Sequence, residues 1–298
     1  MITVFAHADG FGGLAPLGPV ALVALLYARR AATLRASGRP VPHHRIAAFA
    51  SGLAIVALAS ASPLGHVAEE LLAAHVVEHV LLADIGPLLL VVGVTGPVLA
   101  PALRHPVFSR LRPLGHPVVA LALWAANLAA WHLPALHEAA VRSVAVHALQ
   151  HALLLGLGGA LWMPLFGPLP RPAWFGTVAR GGYVLLIGAS GAVLANLLLW
   201  IRADLYGVYS AGRAAWGITA ADDQGVAGGI MLFAGSVVTL GLVAWLVLQA
   251  IHDAEERQGL LDLATSRRVP LTEDRAARAV AAGRAGELRR RLVDQRPD

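Results

Sequence analysis

Long apolar runs separated by short Arg- or Pro-bearing segments dominate the chain. A bilayer crossing needs about 20 predominantly apolar residues. Seven segments qualify, approximately 12–28, 46–62, 71–92, 117–134, 144–166, 182–201 and 226–250. The pattern predicts an all-α fold, a polytopic transmembrane helical bundle of about seven spans. The second run is rich in Ala and Ser and gives the weakest signal. The third continues past Pro87 into Gly93, Gly96, Pro97 and Pro101, which predicts a kink or break. Residues 1–251 read as the multi-span domain and 252–298 as a charged tail.

Composition agrees with the pattern. The chain has 298 residues, is 57% hydrophobic and only 14% charged, against about 25% charged in soluble domains. The high isoelectric point, near 10.6, raises the question of nucleic acid. The basic residues form no single patch, so a lipid bilayer is the expected environment and no nucleic-acid partner is expected. Residues 1–13 contain no Arg and lack the basic region of a signal peptide, so they read as a short exposed segment leading into the first span. Arg placement sets the orientation. Of the 23 basic residues, all Arg, only Arg142, Arg202 and Arg213 fall on one side. The N-terminus is therefore expected outside and the C-terminus in the cytoplasm.

Within this frame two pairs of histidines stand out. His75-Val-Val-Glu78-His79 and His147-Ala-Leu-Gln150-His151 both lie in apolar runs. A spacing of four puts both imidazoles of a pair on one helix face, one turn apart. That is how one helix offers two nitrogens to a single metal ion. At about 1.5 Å per residue, both pairs lie in the outer part of spans that run in the same direction, so they can meet at one level. A lone intramembrane His often serves only as an interhelical hydrogen-bonding group. Four imidazoles in two matched pairs point instead to metal or haem. Copper suits imidazole best, followed by zinc. The absence of cysteine excludes thiolate and iron–sulfur chemistry.

Other residues supplement the pairs. Glu78 and Gln150 can orient ligands or hydrogen-bond between helices. His132 closes the fourth span beside Trp131 as an interfacial residue or a supporting ligand. Met231, near the outer end of the last span, is within reach of the site. Asp222 and Asp223 precede that span, as caps or as metal-capturing carboxylates. Asp84 lies near mid-membrane, rotated away from the histidine face, and is a candidate proton relay. In the tail, Thr272 through Arg291 reads as one helix that contacts a partner.

The motifs also carry a resemblance. His75-x3-His79-Val-Leu-Leu with the following Gly-Pro87-Leu-Leu-Leu is the first block. Trp131-His132-Leu133-Pro134 with His147-x2-Gln150-His151 and Trp162-x-Pro164-Leu165-Phe166-Gly167-Pro168 is the second. Asp223-Gln224-x2-Ala227-Gly228-x-Ile230-Met231 is the third. In that order, over roughly residues 45–250, they resemble the CtaG-type cytochrome c oxidase assembly factors. Two positions depart from that pattern: Asp84 stands where the family usually has an apolar residue, and Leu232 where it usually has Trp.

The resemblance implies a multi-pass protein of the bacterial plasma membrane that assists copper insertion into a haem-copper oxidase. The oxidase subunits would be its partners, and the protein would be a metallochaperone rather than an enzyme. Its copper would be held by His75, His79, His147 and His151. Three other readings remain open from the residues: a haem-binding electron-transfer protein, an ion or proton transporter using Asp84, and a membrane metalloenzyme whose histidine pairs hold a catalytic metal.

Overall fold

The computed structural model describes residues 17–61, 64–106, 110 and 112–294. The expected exposed segment 1–13, with His7, lies outside the described residues. The fold is all-helical, and the chain divides into two compact units, Met1–Thr239 and Leu240–Asp298. Among the described residues, six helices are long and apolar enough to cross a membrane, or seven if a bent pair counts as one span. The protein is a multi-pass membrane protein.

The first unit begins with α1 (Leu17–Ala36) and α2 (His43–Ala61), followed by the short α3 (Leu64–Glu70). The predicted third span is built in three pieces: α4 (Leu72–Val80), a π-helical turn (Leu81–Ile85) and α5 (Gly86–Gly93). The distortion has a covalent cause. Pro87 has no N–H to return to the Ala83 carbonyl four residues back. The ladder widens instead, and the Gly86 N–H reaches the Leu81 carbonyl. The loosened carbonyls are then used by α9 (Val144–Phe166). Trp162 Nε1 donates to the Asp84 carbonyl at 3.1 Å, and Gly158 lies against the Ala83 carbonyl, where a Cβ would sit only 2.2 Å from that oxygen. The sequence reading placed the irregularity after Pro87. The structure has a second one there, where the chain leaves helix at Val94 and Thr95 and resumes in α6 (Gly96–Arg104).

A 3₁₀ turn (Arg112–Gly115) leads to α7 (Pro117–Trp131) and α8 (Pro134–Arg142), which meet at a 74° bend. Pro134 is the reason: it ends the preceding ladder and starts a new helix in its first turn. Ser143 then caps α9, accepting from the Val146 N–H at 3.5 Å. Helix α10 (Thr177–Trp200) is followed by a 3₁₀ turn (Gly207–Tyr209) and the short α11 (Ser210–Trp216). The last span belongs to α12 (Ala220–Ser266), 47 residues long. It is much longer than the predicted 226–250, because the polar residues after 250 continue its helical ladder.

The second unit has a small core of its own, in which Leu260 and Ala264 pack with Ala276, Ala285, Leu288 and Leu292. The tail expected as one helix forms two, α13 (Glu273–Ala281) and α14 (Ala285–Asp294). Thr272 caps α13 by accepting from the Arg275 N–H. Gly283, at a φ of 65°, takes the left-handed conformation that ends the helix.

Candidate metal centre

The third and fifth predicted spans meet, and their histidine pairs meet with them. His75 and His147 have ring centroids 5.5 Å apart, and His79 and His151 lie at 6.0 Å. Within the pairs the rings stand at 4.2 Å and 4.1 Å, as one helical turn requires. His147 Nε2 and His151 Nε2 are hydrogen-bonded to each other at 2.6 Å. One ligand atom from each of His79, His147 and His151 lies within 4.8 Å of the other two. His75 stands beside this trio, its ring tilted against that of His137 at 4.7 Å.

The cluster is largely buried and carries unsatisfied polar atoms. His75 and Glu78 are each 1% exposed and His147 4%. His75 Nε2, His79 Nε2 and Glu78 Oε2 are buried without a hydrogen-bond partner. Native interiors pair nearly all such atoms, so these orphans make the cluster a candidate ligand site. Gln150, wholly buried, also leaves both amide atoms unpaired.

Around the trio lies a hydrogen-bonded wall, of which sequence reasoning named His132 and missed the rest. His137 Nδ1–H donates to the Trp131 carbonyl at 3.3 Å, and its Nε2 accepts from the Tyr209 hydroxyl at 2.8 Å. A carbonyl can only accept, which fixes the tautomer. With both nitrogens engaged, His137 is a support. His132 Nδ1–H donates to the Leu128 carbonyl at 2.8 Å, and the Tyr206 hydroxyl donates to the His132 carbonyl at 2.9 Å. Burial pushes the Tyr206 phenol up to about 12 and the Tyr209 phenol well above its usual range. Both remain protonated donors rather than phenolate ligands. The missed residues had faint signals: a solitary His after Leu133-Pro134, and a Tyr-Gly-Val-Tyr stretch with no apolar period.

The acidic pair before the last span has a structural task. Asp222 pairs with Thr219 to cap its own helix, with the Thr219 hydroxyl donating at 2.6 Å. Asp223 reaches across the bundle. Its two carboxylate oxygens accept from the Leu72 and Ala73 N–H groups at 3.0 and 2.9 Å, capping the helix that carries His75 and His79. Gln224 accepts from the Leu205 N–H and donates to the Ile201 and Ala203 carbonyls. This pins the segment that leads to Tyr206 and Tyr209. Buried Arg213 holds the same segment, paired with Asp204 and donating to the Tyr206 carbonyl.

Asp84 lies apart from the cluster, whereas Met231 also packs against the core of Leu72, Val76 and Tyr209. Together with Trp124, Trp162 and Thr239, Asp84 and Met231 line a notch of about 50 Å³ bordered by glycines. The geometry is that of three convergent imidazoles in an apolar setting, near an acidic side chain and a rigid hydroxyl-bearing wall.

Residues 25–253 match the family described as cytochrome c oxidase caa3 assembly factor (Caa3_CtaG). The chain belongs to that family. No curated protein and no solved structure matches it. The matched region of this Caa3_CtaG protein contains both histidine pairs, the bent helix pair and Asp223. It stops before α13 and α14. The donors at the cluster are nitrogen and oxygen only, a set that suits copper(II) or zinc and offers no soft sulfur.

Proposed function

We propose that the protein receives a copper ion at the cluster of His79, His147 and His151 and assists its insertion into a haem-copper oxidase of the same bilayer. On this reading it is a metallochaperone of the bacterial plasma membrane, and the ion is cargo. The observation that carries the reading is the convergence of ring nitrogens from two membrane helices, with buried ligand atoms left unpaired. Family membership supplies the oxidase as partner.

The Arg asymmetry of the sequence puts the cluster near the outer face, where extracytoplasmic copper arrives. A site without thiolate binds copper less tightly than a cysteine site would, which favours release to a final acceptor. Haem is less well supported. Two facing histidines can ligate its iron, but haem needs only one histidine per helix, so the doubling at four-residue spacing fits it less well.

The test is copper content of detergent-purified protein beside the variant His79→Ala/His147→Ala/His151→Ala, with oxidase copper occupancy measured in cells carrying each. We expect about one copper per chain, lost in the variant together with copper in the oxidase. Equal copper in both proteins and a normally metallated oxidase would sink the reading.

A further inference from the structure

Glu78 sits on the ligand side of the histidines. Its Oε1 lies 3.6 Å from His151 Nε2 and its Oε2 3.9 Å from His147 Nε2. These distances are too long for hydrogen bonds. Toward His147 and His151 they are the spacing of donor atoms that share a third atom, since ligands about 2.0–2.2 Å from one ion stand roughly 3–4 Å apart. A carboxylate that merely orients a metal-bound histidine bonds the ring nitrogen turned away from the ion. Glu78 faces Nε2 of both rings, the atoms that are also hydrogen-bonded to each other at 2.6 Å. It is 1% exposed, and its Oε2 has no hydrogen-bond partner.

We propose that Glu78 is a direct ligand, so that His79, His147, His151 and Glu78 form a three-nitrogen, one-carboxylate cage selective for a divalent ion, copper(II) ahead of copper(I). The inference rests on the copper reading and refines it. His75, the fourth histidine expected from the sequence, falls outside the cage, packed between His79 and His137.

Two physical arguments support the ion's charge class. Carboxylate oxygen is a hard donor, whereas copper(I) is favoured by thioether and thiolate. A negative ligand also lowers the cost of holding a doubly charged ion in an apolar interior, where an uncompensated charge is expensive.

The experiment titrates wild type, Glu78→Gln, Glu78→Asp and His75→Ala, as full-length detergent-purified proteins, with copper(II), zinc(II) and copper(I). The EPR spectrum of bound copper(II) is recorded for each. Glu78→Gln is expected to weaken copper(II) and zinc(II) by at least 100-fold, to weaken copper(I) by less than tenfold, and to change the copper(II) g and hyperfine values. Glu78→Asp keeps the carboxylate and should retain most of the wild-type spectrum, and His75→Ala should lose less than tenfold. Unchanged copper(II) affinity and spectrum in Glu78→Gln would overturn the ligand assignment while leaving the copper reading intact. An equal loss for all three ions with an unchanged spectrum would also overturn it, by reducing Glu78 to a packing role. Wild-type protein that binds none of the ions would bring down both.

Discussion

One helical span carries two buried polar places, and they differ in kind. Above the π turn, His75, Glu78 and His79 meet His147 and His151 from α9, and several buried ligand atoms are left without partners. Below it, Asp84 lines a small notch among Trp124, Trp162, Met231 and glycines. Both would look alike in a list of ionisable residues inside a membrane. What separates them is convergence: the upper place gathers donors from two helices around one point, and the lower one holds a single carboxylate beside apolar neighbours. A ligand site is recognised by how many unsatisfied atoms aim at the same spot, and burial of one charge is a weaker signal.

That contrast can be broken most directly by metal affinity. Single changes His79→Ala, His147→Ala and His151→Ala should each weaken copper(II) by at least about 100-fold, near 2.7 kcal/mol. Asp84→Asn should stay within about twofold. A metal titration in which Asp84→Asn matched a histidine variant would erase the distinction.

The partition between the two places depends on the π turn, so its packing is the next target. Gly158→Val brings a side chain onto the Ala83 carbonyl and should cost about 1–3 kcal/mol of stability, read as a lower unfolding temperature of the purified protein. A wild-type melting curve would contradict the tight approach of α9 to that turn.

Asp223→Ala removes the cap from the histidine-bearing helix only. Helix capping residues are worth about 0.5–2 kcal/mol, and the loss should appear as a lower melting temperature with a several-fold weaker copper affinity. An effect on stability without any effect on affinity would mean that the cap does not position the histidines.

Smaller still, Tyr209→Phe deletes the hydrogen bond to His137 and should cost about 1 kcal/mol, with copper affinity changed less than tenfold. At the lower place, Asp84→Leu exchanges a carboxylate in an apolar notch for an apolar side chain. It should leave the melting temperature unchanged or raise it slightly, by no more than about 1 kcal/mol. A clear drop would give Asp84 a partner and a task.

Much of this was readable in the chain, for stated reasons. Apolar runs of bilayer length located the spans, because lipid leaves the backbone no alternative to helix. The run 144–166 coincides with α9. The four-residue spacing of the histidines is a local property, and the shared direction of spans three and five follows from counting crossings. Asp84 was separable from the histidine face by its angle around the helix. The residues that escaped depend on distance in space. Asp223 reads as the cap of its own helix, and only folding reveals that Leu72 and Ala73 are what it caps. His137 looks like a solitary interfacial histidine until the bend at Pro134 turns it toward His75. The widened turn at Leu81–Ile85 was visible only as Pro87, whose missing N–H acts upstream of where the break was expected. Glu78 was seen as a neighbour of the histidines, but its side of the imidazoles is a matter of helix pairing.

The carboxylate of Asp223 has a consequence for how the protein is made. Its two acceptor oxygens are translated about 150 residues after the N–H groups they satisfy. Through the insertion of the intervening spans, the start of the histidine-bearing helix must wait with those donors unclaimed. The last membrane helix closes it. A nascent chain still on the ribosome therefore holds its histidines in an unfinished frame, completed only at the end of synthesis.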